Sequence, residues 1–281
     1  GIPVGLHYTW FIVFLLATGL LARNIFPRMY DDWSQLHYWG AAIATSLLFF
    51  ASILAHELGH SVVALRNGIE VKSITLFVFG GVARIARDAP RPGIEALIAL
   101  AGPAVSLALG GISLGIFFLF QDSSESIAAM SLWLGSINIM VAVFNLIPGF
   151  PLDGGRVFRA VVWGIGGNFV KATRISSLVG RTVGYLFIIF GVVWGFWNQD
   201  IYSALWIAFI GWFLASAASQ SYTQVALREA LKGLHVREMM TQDVPIIPRR
   251  LDLRTLVESH IFFSGRCFFL VGENGSWDGL V

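Results

Sequence analysis

The sequence predicts a mainly α-helical, polytopic membrane protein with about six transmembrane helices, a small membrane-associated β segment and a C-terminal α/β piece. Three observations predict it. First, 56% of the 281 residues are hydrophobic and 13% are charged, about half the charged fraction of an ordinary soluble domain. The mean hydropathy is +0.71. Second, the apolar residues fall in runs of bilayer-crossing length, about twenty residues each. Third, this apolar character stops near Leu227 and the remainder has a soluble composition. Two domains are therefore expected, 1–227 in the membrane and 234–281 outside it. The net charge of +2 gives no reason to expect a nucleic-acid partner. The lone Cys267 excludes an internal disulfide framework and fits a reducing compartment. The chain opens at Gly1 with no charged n-region and no cleavage site, so no signal peptide is assigned.

Leu6–Ala22 is the first span, with Tyr8 and Trp10 near one interface. Arg23–Tyr38 is a polar connector carrying Pro27, Asp31 and Asp32. Trp39–Leu65 is the second span, and Arg66-Asn67-Gly68 ends it with a cation in the last turn and a glycine just past it. Ile69–Ala86 alternates as a strand, is rich in β-branched residues and contains Gly80-Gly81, so it predicts a small hairpin or sheet. Such backbone at membrane depth must be buried in protein or line a wet cavity. Its exposed edge could take an extended peptide as an added strand, or the segment could be an interfacial loop without that role. Gly93–Phe120 is the third span; its Ala101-Gly102-Pro103 either breaks the helix or admits a close neighbour. Ile127–Ile147 is the fourth and runs into an irregular segment, Asn145-Leu-Ile-Pro-Gly-Phe-Pro-Leu-Asp-Gly-Gly-Arg156. Ile175–Trp197 and Ile201–Ala218 complete the set. The tail reads as a helix start, a strand at Val244–Ile247, an amphipathic helix at Asp252–Ser259 and a strand at Cys267–Val271.

Charge placement predicts the topology. Arg66, Lys72, Arg84, Arg87 and Arg91 follow span two; Arg156, Arg159, Lys171, Arg174 and Arg181 follow or flank the end of span four; Arg228, Lys232 and Arg237 follow span six. The intervening loops hold only Arg23 and Arg28, beside Asp31 and Asp32. By the positive-inside rule, both termini and the loops after spans two and four face the cytoplasm.

The chemistry begins at His56-Glu57-Leu58-Gly59-His60, inside one of the most apolar stretches. An ionisable residue within a span is costly and marks function by default. On a helix, i and i+4 share a face, so both imidazoles can grip one metal ion. Glu57 is then placed as a general base toward a metal-polarised water. A catalytic zinc takes three protein ligands, and the candidates in apolar surroundings are Asp153, His7 and Asn145, with Asp153 favoured as the anion at the same depth. Asp153 could instead cap a helix or pair with Arg156. His7 could be an interfacial histidine. Asn145 could donate to a substrate backbone or oxyanion, or make a helix–helix hydrogen bond. Asp31, Asp32 and Glu125 read as solvated loop charges, and Glu95 as a cap of span three. No phosphate-cradling loop and no Ser-His-Asp or Cys-His arrangement is present. Two functions fit these residues: a membrane-embedded metallopeptidase, or a metal-ion transporter with an intramembrane His/Asp site. The second does not explain why Glu57 directly follows a ligand.

The histidine motif together with Asn145 through Asp153-Gly-Gly-Arg resembles the site-2 protease family of intramembrane zinc metalloproteases, over about residues 1–227. Gly80-Gly81-Val-Ala-Arg and Ala101-Gly102-Pro103-Ala-Val-Ser-Leu resemble the segments between. The resemblance implies one catalytic Zn2+ held by His56, His60 and Asp153, with Glu57 as the catalytic glutamate. It also implies substrate contacts at Asn145 and in the β segment around Gly80 and Gly81, which would present an unwound transmembrane substrate in regulated intramembrane proteolysis. Ser106 departs from the asparagine that many relatives carry. The tail resembles the first part of a CBS domain, on Val236 through Pro248, Leu251 through Leu256, Arg266 through Val271 and Gly279-Leu-Val. That resemblance implies a regulatory role, pairing across a homodimer, and an adenine nucleotide only at a complete pair of such domains.

Overall fold

A computed structural model describes residues 2–77, 80–240, 244–262, 268–273 and 276–281. The chain divides into two compact units, Gly1–Glu229 and Ala230–Val281. Among the described residues, six helical stretches are long and apolar enough to cross a membrane.

The first unit opens with β1 (Val4–Leu6), then α1 (Thr9–Leu20), which continues through a π-helical turn at Leu21–Ile25 into α2 (Phe26–Met29). The first apolar stretch thus runs Thr9–Met29, and the polar connector shrinks to the residues before Gln35. Arg23 does not end the helix because its guanidinium lies 5.5 Å over the Trp39 ring, where the cation is sheltered by the aromatic face. Leu21, Phe26, Trp33, Tyr38 and Ala42 pack together around this bend. The connector is also tied down: Trp33 Nε1 donates to Glu125 at 2.8 Å, and His37 Nε2 meets Ser126 Oγ at 2.6 Å. Glu125 is exposed, as expected of a solvated charge, but it also has a partner in Trp33.

α3 (Gln35–Arg66) starts where Ser34 Oγ accepts the His37 N–H, and ends where Asn67 Nδ2 donates to the Val63 carbonyl ahead of Gly68 at φ +73°. Its buried stripe steps through Tyr38, Ala42, Thr45, Phe50, His56, His60 and Ala64. The next segment gives β2 (Val71–Phe77) and β3 (Gly80–Ile85), paired antiparallel. β1 joins β2 in parallel, so the expected hairpin is a three-stranded sheet in the order β1-β2-β3. Three residues are too few to show strand alternation in a sequence.

α4 (Pro92–Phe120) runs unbroken through Pro103, so Ala101-Gly102-Pro103 admits a close neighbour instead of ending the helix. α5 (Glu125–Asn145) crosses it tightly: a Cβ on Gly110 would lie 3.2 Å from the Gly135 carbonyl. Close backbone approach of this kind replaces the hydrophobic driving force that lipid does not supply. After the irregular segment comes α6 (Asp153–Gly166), which is amphipathic and was not among the expected elements. Gly167 at φ +67° ends it, and Asn168 caps α7 (Phe169–Asn198), which is followed by α8 (Ile201–Ala230). Large apolar side chains such as Leu15, Phe118, Phe196 and Trp206 point outward, as they do when the surrounding solvent is lipid.

The second unit is small. It holds α9 (Val236–Met239), β4 (Ile246–Ile247), α10 (Leu253–Thr255) running into a π-helical turn at Leu256–Ile261, β5 (Leu270–Glu273) and β6 (Ser276–Leu280). β4 pairs with β5 in parallel and β5 with β6 antiparallel. Ile247, Leu256 and Phe269 form its core. Cys267 lies outside the described residues, as do Val78 and Phe79 of the β segment.

Candidate active site

Two elements bring three ligand atoms to one point. His56 and His60 lie one turn apart on the buried stripe of α3, 6% and 5% exposed. Asp153 is the first residue of α6. His56 Nε2, His60 Nε2 and Asp153 Oδ2 form a triangle with sides of 3.2, 3.1 and 3.2 Å. Two imidazoles and a carboxylate turned toward one another in this way call for a cation between them. Tetrahedral zinc with arms near 2.1 Å separates its ligands by about 3.4 Å, so the donor set and its spacing fit that ion. His7 is elsewhere: its Nδ1 meets Thr9 at the start of α1.

The outward ring nitrogens are also held, and both holds come from α4. His60 Nδ1 donates to the Ile98 carbonyl at 2.6 Å, and His56 Nδ1 meets Ser106 Oγ at 2.9 Å. A carbonyl only accepts, so His60 carries a proton on Nδ1, and the neutral ring, the form that binds metal, then turns its lone pair inward from Nε2. Between these two contacts lies Gly102, where a Cβ would fall 2.2 Å from His60 Nε2 and 2.5 Å from His56 Nε2. Only glycine leaves that space. Ser106 thus makes a polar contact to the ligand ring.

Asp153 is positioned by backbone stacking. Leu152 N–H donates to the Gly149 carbonyl and Gly155 N–H to the Leu152 carbonyl, at 3.1 and 3.0 Å. A Cβ on Gly155 would strike the Gly149 carbonyl carbon at 2.3 Å, and one on Gly180 the Phe150 carbonyl at 2.1 Å. The irregular segment thus lies pressed between α6 and α7, and Ser176 Oγ of α7 ties the two helices together by donating to the Gly155 carbonyl at 2.6 Å. Arg156 Nη1 stands 3.8 Å from the other Asp153 oxygen, close enough to favour the anion while Oδ2 faces the histidines.

Glu57 lies beside the triangle and is not one of its members. β3 passes directly over it: a Cβ on Gly81 would sit 2.3 Å from Glu57 Cγ. Gly80 starts that strand at φ +120°, a conformation glycine adopts without strain. The two glycines thus let a strand run against the glutamate. Asn145 ends α5, and its side-chain amide donates to the Val141 carbonyl at 3.0 Å. Among the described residues no hydrogen bond joins it to the three ligands. Sequence reasoning missed Ser106 as a partner of His56, and the Ile98 carbonyl has no side-chain signal to find. Glu95 is not a cap: it is buried against Arg159 of α6.

Comparison with known proteins places this geometry. The family model for peptidase family M50 matches residues 44–130 and 113–190, more than half of the chain and both halves of the triangle. Over its whole length the chain is 37% identical to "Putative zinc metalloprotease sll0528" of Synechocystis, covering 74% of that protein. It is 29% identical to zinc metalloprotease MJ0392 of Methanocaldococcus jannaschii, covering 75% of that protein. The solved site-2 protease from the same archaeon superposes with a TM-score of 0.53 at 29% identity, over 79% of this chain and 91% of that one. Likeness along the whole sequence and likeness of fold point the same way as the ligand triangle, and the chain belongs to peptidase family M50.

Proposed function

We propose that the chain is an intramembrane zinc endopeptidase that hydrolyses a peptide bond in or near a transmembrane segment of a membrane-protein substrate, in regulated intramembrane proteolysis. The observation that carries this reading is the triangle of His56, His60 and Asp153, with sides of 3.1 to 3.2 Å and a glutamate beside it. Zinc bound there would supply a Lewis acid that polarises the scissile carbonyl and acidifies water. Glu57 takes the proton from the attacking water and returns it to the leaving amide nitrogen. The edge of β3, next to Gly80 and Gly81, holds the substrate extended by strand addition, because a helical segment shields its own carbonyls. Asn145 contributes to substrate binding by turning its amide from the Val141 carbonyl toward the substrate backbone. Membership of a peptidase family favours this reading over the metal-ion transporter.

The reading is tested by reconstituting the chain in vesicles with a single-pass substrate. Cleavage is expected with zinc, to stop on chelation and to return when zinc is restored. Zinc flux without cleavage would favour the transporter.

The positive-inside pattern supports placing the termini and the active-site side in the cytoplasm. The tail pattern supports a CBS-type fragment, 234–281, that pairs across a homodimer and takes adenine nucleotide only when pairs are complete. In a Cys267→Ser background, a membrane-impermeant thiol reagent is expected to label Val236→Cys, an exposed position, only from the cytoplasmic side, and mass in detergent to be that of a dimer. Labelling from the other side, or a strict monomer, would overturn the respective part.

A further inference from the structure

We propose that the buried Glu95–Arg159 ion pair is a positioning pair for the metal centre, locking the face of α4 that orients both imidazoles to the helix that carries Asp153. The pair joins residues 64 positions apart. Arg159 Nε donates to Glu95 Oε1 at 2.7 Å, and Nη2 donates to the same oxygen. Both side chains are withdrawn from solvent: Glu95 is 1% exposed and Arg159 9%.

Its place in each helix gives the inference. On α4, Glu95 begins a stripe that continues through Ile98, Gly102 and Ser106, at the three- and four-residue steps of one helical face. Those are the carbonyl that holds His60, the gap that accommodates both rings and the hydroxyl that holds His56. On the other side, Arg159 shares α6 with Asp153. Its guanidinium lies 4.8 Å from the ring of Phe150, in the segment leading into Asp153, and 4.6 Å from that of Phe169. One arginine therefore grips the chain on both sides of the third ligand and fixes it to the helix that aims the other two.

Stability alone is a poor account of this arrangement. Burying two charges costs several kcal/mol each, and well-packed apolar replacements are often neutral or stabilising. The pair is also not arranged for greatest attraction, since both donors share one oxygen and Glu95 Oε2 has no hydrogen-bond partner among the described residues. Fixing register is the best-attested use of such a pair. Metal-site supports beyond the ligands typically change metal affinity 10- to 100-fold when lost.

The inference rests on His56, His60 and Asp153 holding the ion, and the experiment separates the two. The full chain is purified in detergent as wild type, as Glu95→Leu/Arg159→Met, as Arg159→Lys, and as the control His56→Ala/His60→Ala. Three quantities are read: thermal unfolding without metal, Zn2+ affinity by chelator competition, and the visible absorption of Co2+ in the site. The double variant is expected to unfold within a few degrees of wild type or above it, to bind Zn2+ about 10- to 100-fold more weakly and to show an altered Co2+ spectrum. Arg159→Lys keeps the charge but loses the planar two-donor fork, and is expected to move both metal readouts the same way by a smaller factor. Wild-type affinity and spectrum in either variant that folds would overturn the positioning role. So would failure of both to fold, since the pair would then serve the fold and not the site. Wild type binding no better than the histidine control would instead remove the ligand triangle itself.

Discussion

Glu57→Gln is expected to lower cleavage of a reconstituted transmembrane substrate by about 10²- to 10⁴-fold, the usual contribution of a positioned general base. Zinc should stay bound at one ion per chain, because the carboxylate lies outside the triangle of His56, His60 and Asp153. Glutamine keeps the size and shape that fit beneath Gly81, where a Cβ would sit 2.3 Å from Glu57 Cγ. The substitution thus leaves the strand in place and removes only the ability to accept a proton. The effect should fall on kcat, with KM nearly unchanged, since the proton moves in the transition state and not on binding. The measurement is initial cleavage rate against substrate concentration, with metal content determined on the same preparation. Equal rates for the two proteins would exclude Glu57 as the base.

Gly102→Ala should lower zinc affinity and stability together, because overpacking a filled core costs about 1–3 kcal/mol. In a helix interior, alanine is favoured over glycine by about 1 kcal/mol. Gly102 lies within α4 at ordinary helical backbone angles, so the backbone itself would accept alanine. The added methyl carbon, however, would fall 2.2 Å from His60 Nε2 and 2.5 Å from His56 Nε2. Neither ring has room to yield while its Nδ1 keeps the contact with Ile98 or Ser106. Zinc affinity should therefore fall by at least 100-fold, with cleavage lost alongside it. Chelator competition and a metal-free melt on one sample check both halves. Wild-type zinc affinity in this variant would show that the rings rearrange freely, and that α4 does not aim them.

The spans were legible because bilayer-length hydropathy is a strong signal, and the histidine pair because i and i+4 share a face whatever surrounds them. Asp153 was legible for a related reason: an anion in an apolar stretch needs a partner. Elsewhere the signal failed for physical causes. Arg23 looked like a helix end because a sequence does not show that Trp39 will cover the cation. α6 was hidden by its opening Asp153-Gly154-Gly155, which reads as a turn; the glycines in fact let it press against the irregular segment. Glu95 read as a cap because its position in the first turn suits one, while its partner lies 64 residues away. The Ile98 carbonyl is backbone and leaves no mark in the choice of residue.

The stripe on α4 has one more consequence. Its contacts to the two imidazoles, the space between them and the anchor to α6 are spaced along a single rigid helix at 98, 106, 102 and 95. Adding or deleting one residue turns everything beyond it by about 100° and shifts it about 1.5 Å. No such change leaves more than part of the set facing α3. The segment from Glu95 to Ser106 therefore behaves as a ruler, in which the spacing of the contacts matters as much as the residues that make them.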